Sequence, residues 1–383
     1  MAHVAKLSAL GAVLAATAAT ADAQKTWIVD AQRGPGYDHA EIAPAIAAAS
    51  EGDAIVVRAG SYAFPRSVIK AVRILGEPGA ILDLGPLANP FTVSAIGAGK
   101  TFVLAGFRIQ ASYAQAGYFR VVDCKGTVSF EDLTCFAILF NIQSIQVERC
   151  NAAFFTRCNI LGGLLARDSN IAVDSSTLSP YGGSATIACE RSNATFTAST
   201  AAGTDGFLRT PGVALEATAS TIRLLAGTGS TYSAGSSTQL TAIRGDSGST
   251  LVLDPLVKLV PTGNAKPHEG FGNVTTRNVP VLGVVGSTIG GLHRFTLHAQ
   301  ANDIFALFFG LPTHLNAPPF GDLWLEPTTL FHVTSGSVLG SLVVFTIPAT
   351  KDVSLRGLPA TWQALNLHRT TIDLTNPVIT TMR

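Results

Sequence analysis

A short pattern that recurs seven times between Thr101 and Leu253 limits what this chain can fold into more than any other feature. Each repeat holds two apolar residues separated by one other residue, with Thr or Asn directly before the first. The repeats lie 19 to 29 residues apart, which is typical of a solenoid whose strands keep register while its loops vary in length. The apolar pairs are Phe102/Leu104, Val128/Phe130, Ala152/Phe154, Ile171/Val173, Ala194/Phe196, Ile222/Leu224 and Leu251/Leu253.

The repeats predict one parallel sheet in which the apolar pairs stack above one another, because side chains alternate between the two faces of a strand. The residues before the pairs would then form a column at one corner of the solenoid. Asn151, Asn170 and Asn193 occupy the middle of this column. Asn tolerates the left-handed backbone of tight corners, so we expect these residues to form a buried ladder of amide hydrogen bonds, with Asn170 at its centre.

Composition agrees with an all-β chain and excludes some functions. Charged residues make up 13% of the chain, the formal net charge is +1, and there are 37 glycines. The chain is poor in long helix-favouring side chains and rich in turn formers. Nucleic-acid partners are not expected, because a nucleic-acid binder needs a concentrated basic surface.

The first 23 residues are predicted to be a signal peptide. Lys6 is followed by an apolar run from Leu7 to Ala19, and Ala21-Asp22-Ala23 matches a small-x-small cleavage site. No later stretch approaches 18 apolar residues without charge, so no membrane span is expected. The protein is therefore predicted to be exported, whether to the extracellular space, the cell surface or the periplasm.

The rest of the chain is predicted to have two folded parts. A short helix over Glu41–Ser50 would cap the first coil, and the strand Ala54–Arg58 would follow it. Residues 24–260 are assigned to the β-helix and residues 261–278, rich in Gly, Pro and Asn, to a linker. Residues 279–383 are predicted to form a small sandwich, with strands at Arg294–Ala299, Ile304–Gly310, Leu323–Leu325, Leu342–Pro348 and Trp362–Leu367.

The segment after the predicted cap resembles a known fold family. Glu51-Gly52-Asp53-Ala54-Ile55-Val56-Val57-Arg58-Ala59-Gly60-Ser61-Tyr62 and the later Ile74-Leu75-Gly76-Glu77 resemble the start of pectin-lyase-like right-handed parallel β-helix proteins. The resemblance covers about residues 27–260, and right-handed coils agree with the general rule for parallel connections. The predicted fold class is therefore all-β: a right-handed parallel β-helix with an N-terminal capping helix, followed by a small C-terminal β-sandwich. Lyases, hydrolases, esterases, adhesins and non-catalytic surface proteins share the fold, so the resemblance implies no activity.

Catalysis on this fold would need grouped acids and bases, and the sequence offers few. Enzymes of the resembled class use a calcium-binding carboxylate cluster with a base, grouped aspartates, or two aspartates with an arginine. No histidine lies between Ala40 and Pro267, and no Asp-Asp pair occurs there. Arg167, Asp168 and Asp174 remain the best catalytic candidates on a single coil.

Two columns of charged residues precede the apolar pairs. One column contains Glu148, Arg167 and Glu190; the other contains Lys125, Arg149, Asp168 and Arg191. Alternating signs on neighbouring strands favour mutual neutralisation on a solvated face. The alternative is a polysaccharide-binding track, for which the candidate ligand-binding residues are Glu148, Arg149, Glu190 and Arg191.

Neither a cofactor nor a metal site is predicted. The five cysteines, at 124, 135, 150, 158 and 189, lack Cys-x-x-Cys spacing. Cys135 and Cys158 occupy nearly matching places on neighbouring coils, so the sequence allows either a disulfide between coils or a set of buried thiols, and the thiols are favoured. His293, His298, His314, His332 and His368 lie in the C-terminal part without metal-binding spacing.

The preferred functional interpretation is an exported, non-catalytic β-helix protein that acts as an extracellular or surface binding and structural module. Its expected partner is a polysaccharide or cell-surface glycan. The alternative is a carbohydrate-active enzyme of the same fold, with a polysaccharide lyase favoured over a hydrolase or esterase because paired aspartates are missing.

Overall fold

The computed structural model describes residues 24–83, 90–110, 119–136, 145–180, 185–204, 212–227, 229–236, 239–286, 288–317, 321–369 and 371–383. Over these residues the chain forms a parallel β-helix followed by antiparallel sheets, as the sequence predicts. The predicted signal peptide, residues 1–23, lies outside the described residues.

A short helix, α1 (Ile42–Ala48), covers the first coil and confirms the predicted cap. Ile42, Ala45 and Ile46 are buried and join the core of the β-helix. The Lys70 ammonium group donates to the carbonyls of Ile46, Ala47 and Ala49 at 2.9–3.1 Å, and so provides partners for carbonyl groups that a helix end leaves free. No helix in the described ranges is long and apolar enough to cross a bilayer.

Three parallel sheets form the sides of the β-helix, and each complete coil contributes one strand to each sheet. Sheet A contains β1 (Thr26–Val29), β2 (Ala54–Val57), β5 (Arg73–Gly76), β8 (Thr101–Ala105), β11 (Thr127–Glu131), β14 (Ala152–Thr156), β17 (Asn170–Asp174), β20 (Asn193–Thr197), β23 (Thr221–Leu225), β26 (Thr250–Leu253) and β29 (Asn273–Thr276). Sheet B contains β3 (Gly60–Ala63), β6 (Ala80–Asp83), β9 (Arg108–Gln110), β12 (Thr134–Phe136), β15 (Asn159–Leu161), β18 (Thr177–Ser179), β21 (Thr200–Ala202), β24 (Thr231–Ser233) and β27 (Lys258–Val260). Sheet C contains β4 (Ser67–Val68), β7 (Phe91–Ser94), β10 (Phe119–Val122), β13 (Ile145–Glu148), β16 (Leu164–Arg167), β19 (Ala185–Glu190), β22 (Val213–Thr218), β25 (Ile243–Arg244) and β28 (His268–Glu269).

Six of the seven predicted apolar pairs stack as expected, and one is shifted by a residue. In β14 the inward residues are Ala153 and Phe155, which lie level with Val128 and Phe130 of β11. Ala152 and Phe154 point to the outer face instead. The shift arises because the corner before β14 contains one more residue, Asn151, than the corner before β17.

The corner ladder is made by serines, and the predicted asparagine ladder is wrong. Asn151, Asn170 and Asn193 are only half-buried, and the Asn170 amide donates to the backbone carbonyl of Asn151. The serine one position earlier is buried in four successive coils, and its hydroxyl accepts the backbone N–H of the coil before it. These contacts measure 3.0–3.2 Å and involve Ser169, Ser192, Ser220 and Ser249.

Replacing Ser192 with Ala is expected to lower the free energy of unfolding by about 1–3 kcal/mol, because the Ser169 N–H would lose its partner in a dry corner. Chemical denaturation measures this change. Asn170→Leu, on the preceding coil, is the matched control. It should lower the free energy of unfolding by less than about 1 kcal/mol because Asn170 is half-exposed. A larger loss of stability in Asn170→Leu than in Ser192→Ala would support the asparagine ladder instead.

The segment 261–278 is not the linker that the sequence predicts. It supplies β28, which pairs with β25, and β29, which pairs with β26, so the β-helix continues to Thr276. The Gly and Pro residues of this segment form the corners of a last coil whose apolar residues are too few to carry the repeat pattern.

All five cysteines are buried free thiols. Cys150 and Cys158 donate S–H hydrogen bonds to carbonyls of their own coils. Burial raises the pKa of Cys158 and of Cys189 to about 12. The favoured interpretation of the cysteines, as small buried hydrophobes, therefore agrees with the structure.

The C-terminal part is a sandwich of two antiparallel sheets with an added hairpin. Phe295 and Phe345 of one sheet pack on Trp362 and Phe305 of the other, with Phe295 and Trp362 4.8 Å apart. The three-stranded sheet contains β30 (Val281–Val285), β31 (Leu292–His298) and β36 (Leu342–Pro348); the five-stranded sheet contains β35 (Phe331–Ser337), β32 (Ile304–Gly310), β37 (Pro359–His368), β38 (Thr371–Leu374) and β39 (Val378–Thr381); the hairpin is β33 (Pro312–Ala317) and β34 (Gly321–Leu325). Two short 3-10 helices, Pro327–Thr329 and Val353–Leu355, lie in its loops.

The sandwich packs against the outer face of sheet A. Phe154 of β14 meets Trp324 of the hairpin in a T-shaped contact, with ring centroids 5.1 Å apart. Further along the helix, Leu225 packs with Val279 and Val281. This packing buries one side of the solenoid and creates clefts along the line where the two parts meet.

Candidate functional site

The charged columns on the β-helix neutralise themselves, as the alternating signs predict. Glu148, Arg167 and Glu190 lie level with one another in sheet C. The Arg167 guanidinium binds both oxygens of Glu190 at 2.8 and 3.2 Å. Glu148 is buried and accepts from Arg120 at 2.9 Å. This column therefore presents paired charges to solvent.

The second column lies in the corners that follow sheet C. Arg191 binds Asp168 through two 2.7 Å contacts, and the Arg191 guanidinium holds the pKa of Asp168 below its ordinary value. Arg149 binds Asp123 at 2.6 and 3.0 Å. Asp123, and not the predicted Lys125, occupies the position level with Arg149, because the corner before β11 contains extra residues.

The three predicted catalytic residues do not form one site. Arg167 is the last residue of β16 and Asp168 is the first residue of the corner before β17, whereas Asp174 is the last residue of β17. A five-residue strand separates their backbones by more than about 13 Å. Asp174 is half-buried near Arg157, and its carboxylate accepts the Ser175 hydroxyl at 3.0 Å. Acid–base cooperation among these three residues is therefore not supported.

Asp174 should make the protein less stable as pH rises. Burial raises the pKa of Asp174 from 3.8 to about 7, although Ser175 and Arg157 act in the opposite sense. The folded state thus holds the proton more tightly than the unfolded state, and the stability present below pH 3.8 is lost as pH rises through about 7. We expect a loss of about 2 kcal/mol across this window, since one pKa unit corresponds to about 1.4 kcal/mol and the half-exposed position weakens the effect.

The Asp174→Asn variant should remove this contribution, as measured by chemical denaturation at several pH values. Asp168→Asn is the matched control, because Arg191 lowers the pKa of Asp168 and the decline should persist in that variant. If the Asp174→Asn and unmodified proteins show the same pH dependence, Asp174 is not the group that titrates.

A cleft of about 550 Å³ lies where the last coils of the β-helix meet the sandwich. Its volume falls in the range of small-molecule sites, which often form between domains. Corners of the β-helix supply Asp254 and Leu256, and the residues after β29 supply Arg277. The sandwich supplies further polar groups, among them His298, Asp303, Ser341, Asn366, His368, Thr371 and Asp373.

A histidine and an aspartate are paired on the sandwich side of the cleft. The His368 Nδ1 atom lies 2.5 Å from Asp303 Oδ1. A carboxylate only accepts hydrogen bonds, so Nδ1 donates to Asp303 and Nε2 is the ring nitrogen left for other partners. Asp303 is 1% exposed and also accepts from the Asn366 amide at 2.7 Å and from the Gln300 N–H at 3.0 Å. These bonds hold the imidazole in one orientation.

Two other charged side chains, Arg277 and Asp254, line the cleft, and they differ in whether an opposite charge lies beside them. The Arg277 guanidinium lies 2.6 Å from Asp373 Oδ1. Asp254 is 5% exposed and accepts the Leu256 N–H at 2.9 Å. Across the described ranges, no basic nitrogen lies within 4.0 Å of the Asp254 carboxylate. Among the described residues, Asp254 is therefore a buried carboxylate of the cleft without a basic group beside it.

Among the residues that the structure describes, two buried polar atoms of the cleft lining have no hydrogen-bond partner. They are Asn366 Oδ1 and His298 Nε2, and Asn366 is 2% exposed. Buried polar groups are normally satisfied, so an unpaired one calls for an explanation. Among the residues that the structure describes, no three His, Cys, Asp or Glu side chains are grouped so as to hold a metal ion.

Sequence reasoning missed this site because its residues are far apart in the chain. Asp303 and His368 are 65 residues apart, and Arg277 and Asp373 are 96 apart. The one available signal was the concentration of histidines in the C-terminal part. The spacing of histidines along the chain bears on metal binding, but it does not show which carboxylate lies beside which imidazole.

No protein-family model and no curated protein matches the chain. Among solved structures, it is similar to the full-length tailspike protein 2 of the Escherichia coli O157:H7 bacteriophage CAB120, with 9% identity and a TM-score of 0.29 over 94% of this chain and 64% of that one. It is also similar to the enzymatically active domain of tailspike protein 2 of bacteriophage CBA120, with 9% identity and a TM-score of 0.21 over 88% and 66% of the two chains. The chain thus spans less than two thirds of each of these structures. At such TM-scores the likeness assigns no function.

Proposed function

We propose that this chain is an exported, non-catalytic binding protein of the pectin-lyase-like β-helix class, and that it binds carbohydrate in the cleft between the β-helix and the sandwich. The observation that carries the proposal is the cleft itself, about 550 Å³ in volume and lined by side chains from both parts of the chain. The β-helix provides a rigid frame, and the sandwich completes the site.

The lining suits a sugar better than an apolar ligand. Leu256, Pro280 and Ala299 provide apolar surface, which matches the C–H faces of a sugar ring. Polar groups such as Asp254 and His368 lie beside them and can bind hydroxyl groups. The charged columns on sheet C are less suitable, since their charges already bind one another.

Binding of labelled oligosaccharides from a mixed panel tests the proposal. Ala301→Trp places a bulky side chain at an exposed position on the cleft wall, and it should abolish binding without unfolding the protein. The matched control is Arg167→Ala with Asp168→Ala, which removes paired charges from the columns and should leave both binding and the thermal unfolding midpoint unchanged. Loss of binding in the control alone would show that the sugar binds at the charged columns and not in the cleft.

One observation favours the catalytic alternative, a polysaccharide lyase. The His368 ring is oriented by its contact with Asp303, and a proton-abstracting imidazole is oriented by a carboxylate in this way. The charge of the cleft argues against it, because a lyase substrate carries uronate groups and the cleft contains more carboxylates than guanidinium groups. Formation of ultraviolet-absorbing double bonds on acidic polysaccharides, abolished in His368→Gln, would establish the lyase.

Export is a separate part of the proposal and rests on residues 1–23. Expression of the full chain in a bacterial host should give a secreted or periplasmic product whose N-terminal residue is Gln24. Recovery of an uncleaved chain from the cytoplasm would contradict it.

A further inference from the structure

We propose that the cleft selects a cationic, hydroxyl-bearing ligand: an amino sugar with a free ammonium group. This inference deepens the proposed carbohydrate-binding function and rests on it. Such a ligand differs from the acidic polysaccharide on which the lyase alternative would act.

The first argument is the balance of charge. Three carboxylates line the cleft, those of Asp254, Asp303 and Asp373, against the single guanidinium of Arg277. Arg277 is already bound to Asp373 at 2.6 Å. A uronate group entering the cleft would therefore meet net negative charge, whereas an ammonium group would be attracted.

The second argument is the state of Asp254. This carboxylate is almost fully buried, at 5% exposure, and among the described residues its only hydrogen-bond donor is the Leu256 N–H. A buried charge is costly unless it is paired. An ammonium group bound in the cleft would supply the cation that Asp254 lacks.

The third argument does not depend on charge. Asn366 Oδ1 is buried and, among the described residues, has no donor. His298 Nε2 is also unpartnered. Among the described residues, the cleft therefore holds one acceptor without a donor, the Asn366 amide oxygen. An ammonium group has three donors and no acceptor, and sugar hydroxyls can donate as well, so an amino sugar supplies the missing donor.

Calorimetric titration of the full chain with three tetrasaccharides tests the inference. The probes are the tetramer of glucosamine with free amines, its fully N-acetylated counterpart, and tetragalacturonate. The amine form should bind at least about tenfold more tightly than the acetylated form, because a charge-assisted hydrogen bond is stronger than a neutral one. Tetragalacturonate should bind most weakly.

Asp254→Asn keeps an acceptor for the Leu256 N–H and removes the charge. It should weaken binding of the amine form by about tenfold, so that the preference for the amine form over the acetylated form is lost. Asp168→Asn, which removes a carboxylate from the charged columns outside the cleft, is the matched control and should change neither affinity. Should Asp254→Asn fail to fold, the unmodified protein still provides a test, since added salt should weaken binding of the amine form only.

Equal affinity for the amine and acetylated forms, or tighter binding of tetragalacturonate, would overturn the inference while leaving carbohydrate binding intact. Absence of binding to every saccharide would overturn the proposed function itself. The two failures are thus distinguishable in one experiment.

Discussion

Replacing Trp324 with Ala is expected to lower the free energy of unfolding by about 3–5 kcal/mol, the range for removing a large buried aromatic side chain. Trp324 is 1% exposed. Its ring lies 5.1 Å from that of Phe154 on sheet A and 4.5 Å from that of His314. The substitution would leave a cavity where the hairpin meets the β-helix. Urea denaturation, followed by the fluorescence of the remaining tryptophans, measures the loss.

Leu339→Ala is the control for Trp324, since Leu339 lies in the same sandwich but is 92% exposed. This change should alter stability by no more than about 0.5 kcal/mol. The double variant Phe154→Ala/Trp324→Ala should lose less than the sum of the single changes, because contacting residues couple. Full additivity would mean that the two rings do not touch in solution.

Replacing Glu131 with Ala is expected to cost about 3 kcal/mol, because it leaves donors of the last strand unpaired in a dry interface. Glu131 is fully buried at the end of β11. Its carboxylate accepts the Thr381 N–H at 3.1 Å and also the Thr381 hydroxyl. The Ser129 hydroxyl donates to it at 3.1 Å. The free energy of unfolding in urea measures the effect.

Glu131→Gln separates the hydrogen bonds from the charge. Burial raises the pKa of the Glu131 carboxyl, although Thr381 and the nearby Arg157 oppose this effect. A neutral amide keeps an acceptor for the Thr381 N–H, and the two hydroxyls can rotate to accept from it. We therefore expect Glu131→Gln to cost less than about 1 kcal/mol. A loss as large as in Glu131→Ala would show that the negative charge is what holds β39 to the β-helix.

Both predictions concern the joint between the two parts of the chain, which also forms the cleft. Destabilising substitutions at residues that do not line the cleft, such as Trp324→Ala, should therefore weaken ligand binding only when they loosen the joint. Contacts along this joint include Thr127 with the Pro312 carbonyl, Arg223 with Asp322, and Arg277 with Asp373. They are spread over many coils of sheet A, so the sandwich is held along the length of the β-helix.

Local sequence patterns were sufficient for the elements of the fold. The periodicity of apolar residues predicts the capping helix and the stacked strands of sheet A where they occur. It also predicts the sandwich strands Ile304–Gly310 and Leu342–Pro348. Alternation is a property of neighbouring residues, and a solenoid repeats it coil after coil. The self-neutralised columns were predictable for the same reason, since residues at equal positions on adjacent coils lie next to one another.

Corner lengths were not predictable with the same accuracy. One additional residue, Asn151, turned Phe154 from the expected core position to the outer face. The pattern at this coil fits either register, because Ala152, Ala153, Phe154 and Phe155 are all apolar. Trp324 and Ile379 of the sandwich, which cluster with Ala152 and Phe154, explain why both faces of β14 are apolar.

The sequence by itself determined the solenoid, its cap and the antiparallel character of the C-terminal part, because each follows from periodicity within a few residues. Only the tertiary structure decided that the sandwich covers sheet A, that serines form the corner ladder, and that Asp254, Arg277, His368 and their partners line one cleft. The physical reason is distance along the chain. Asp303 and His368 are 65 residues apart, and their contact depends on how two separately patterned parts pack together, which no local pattern records.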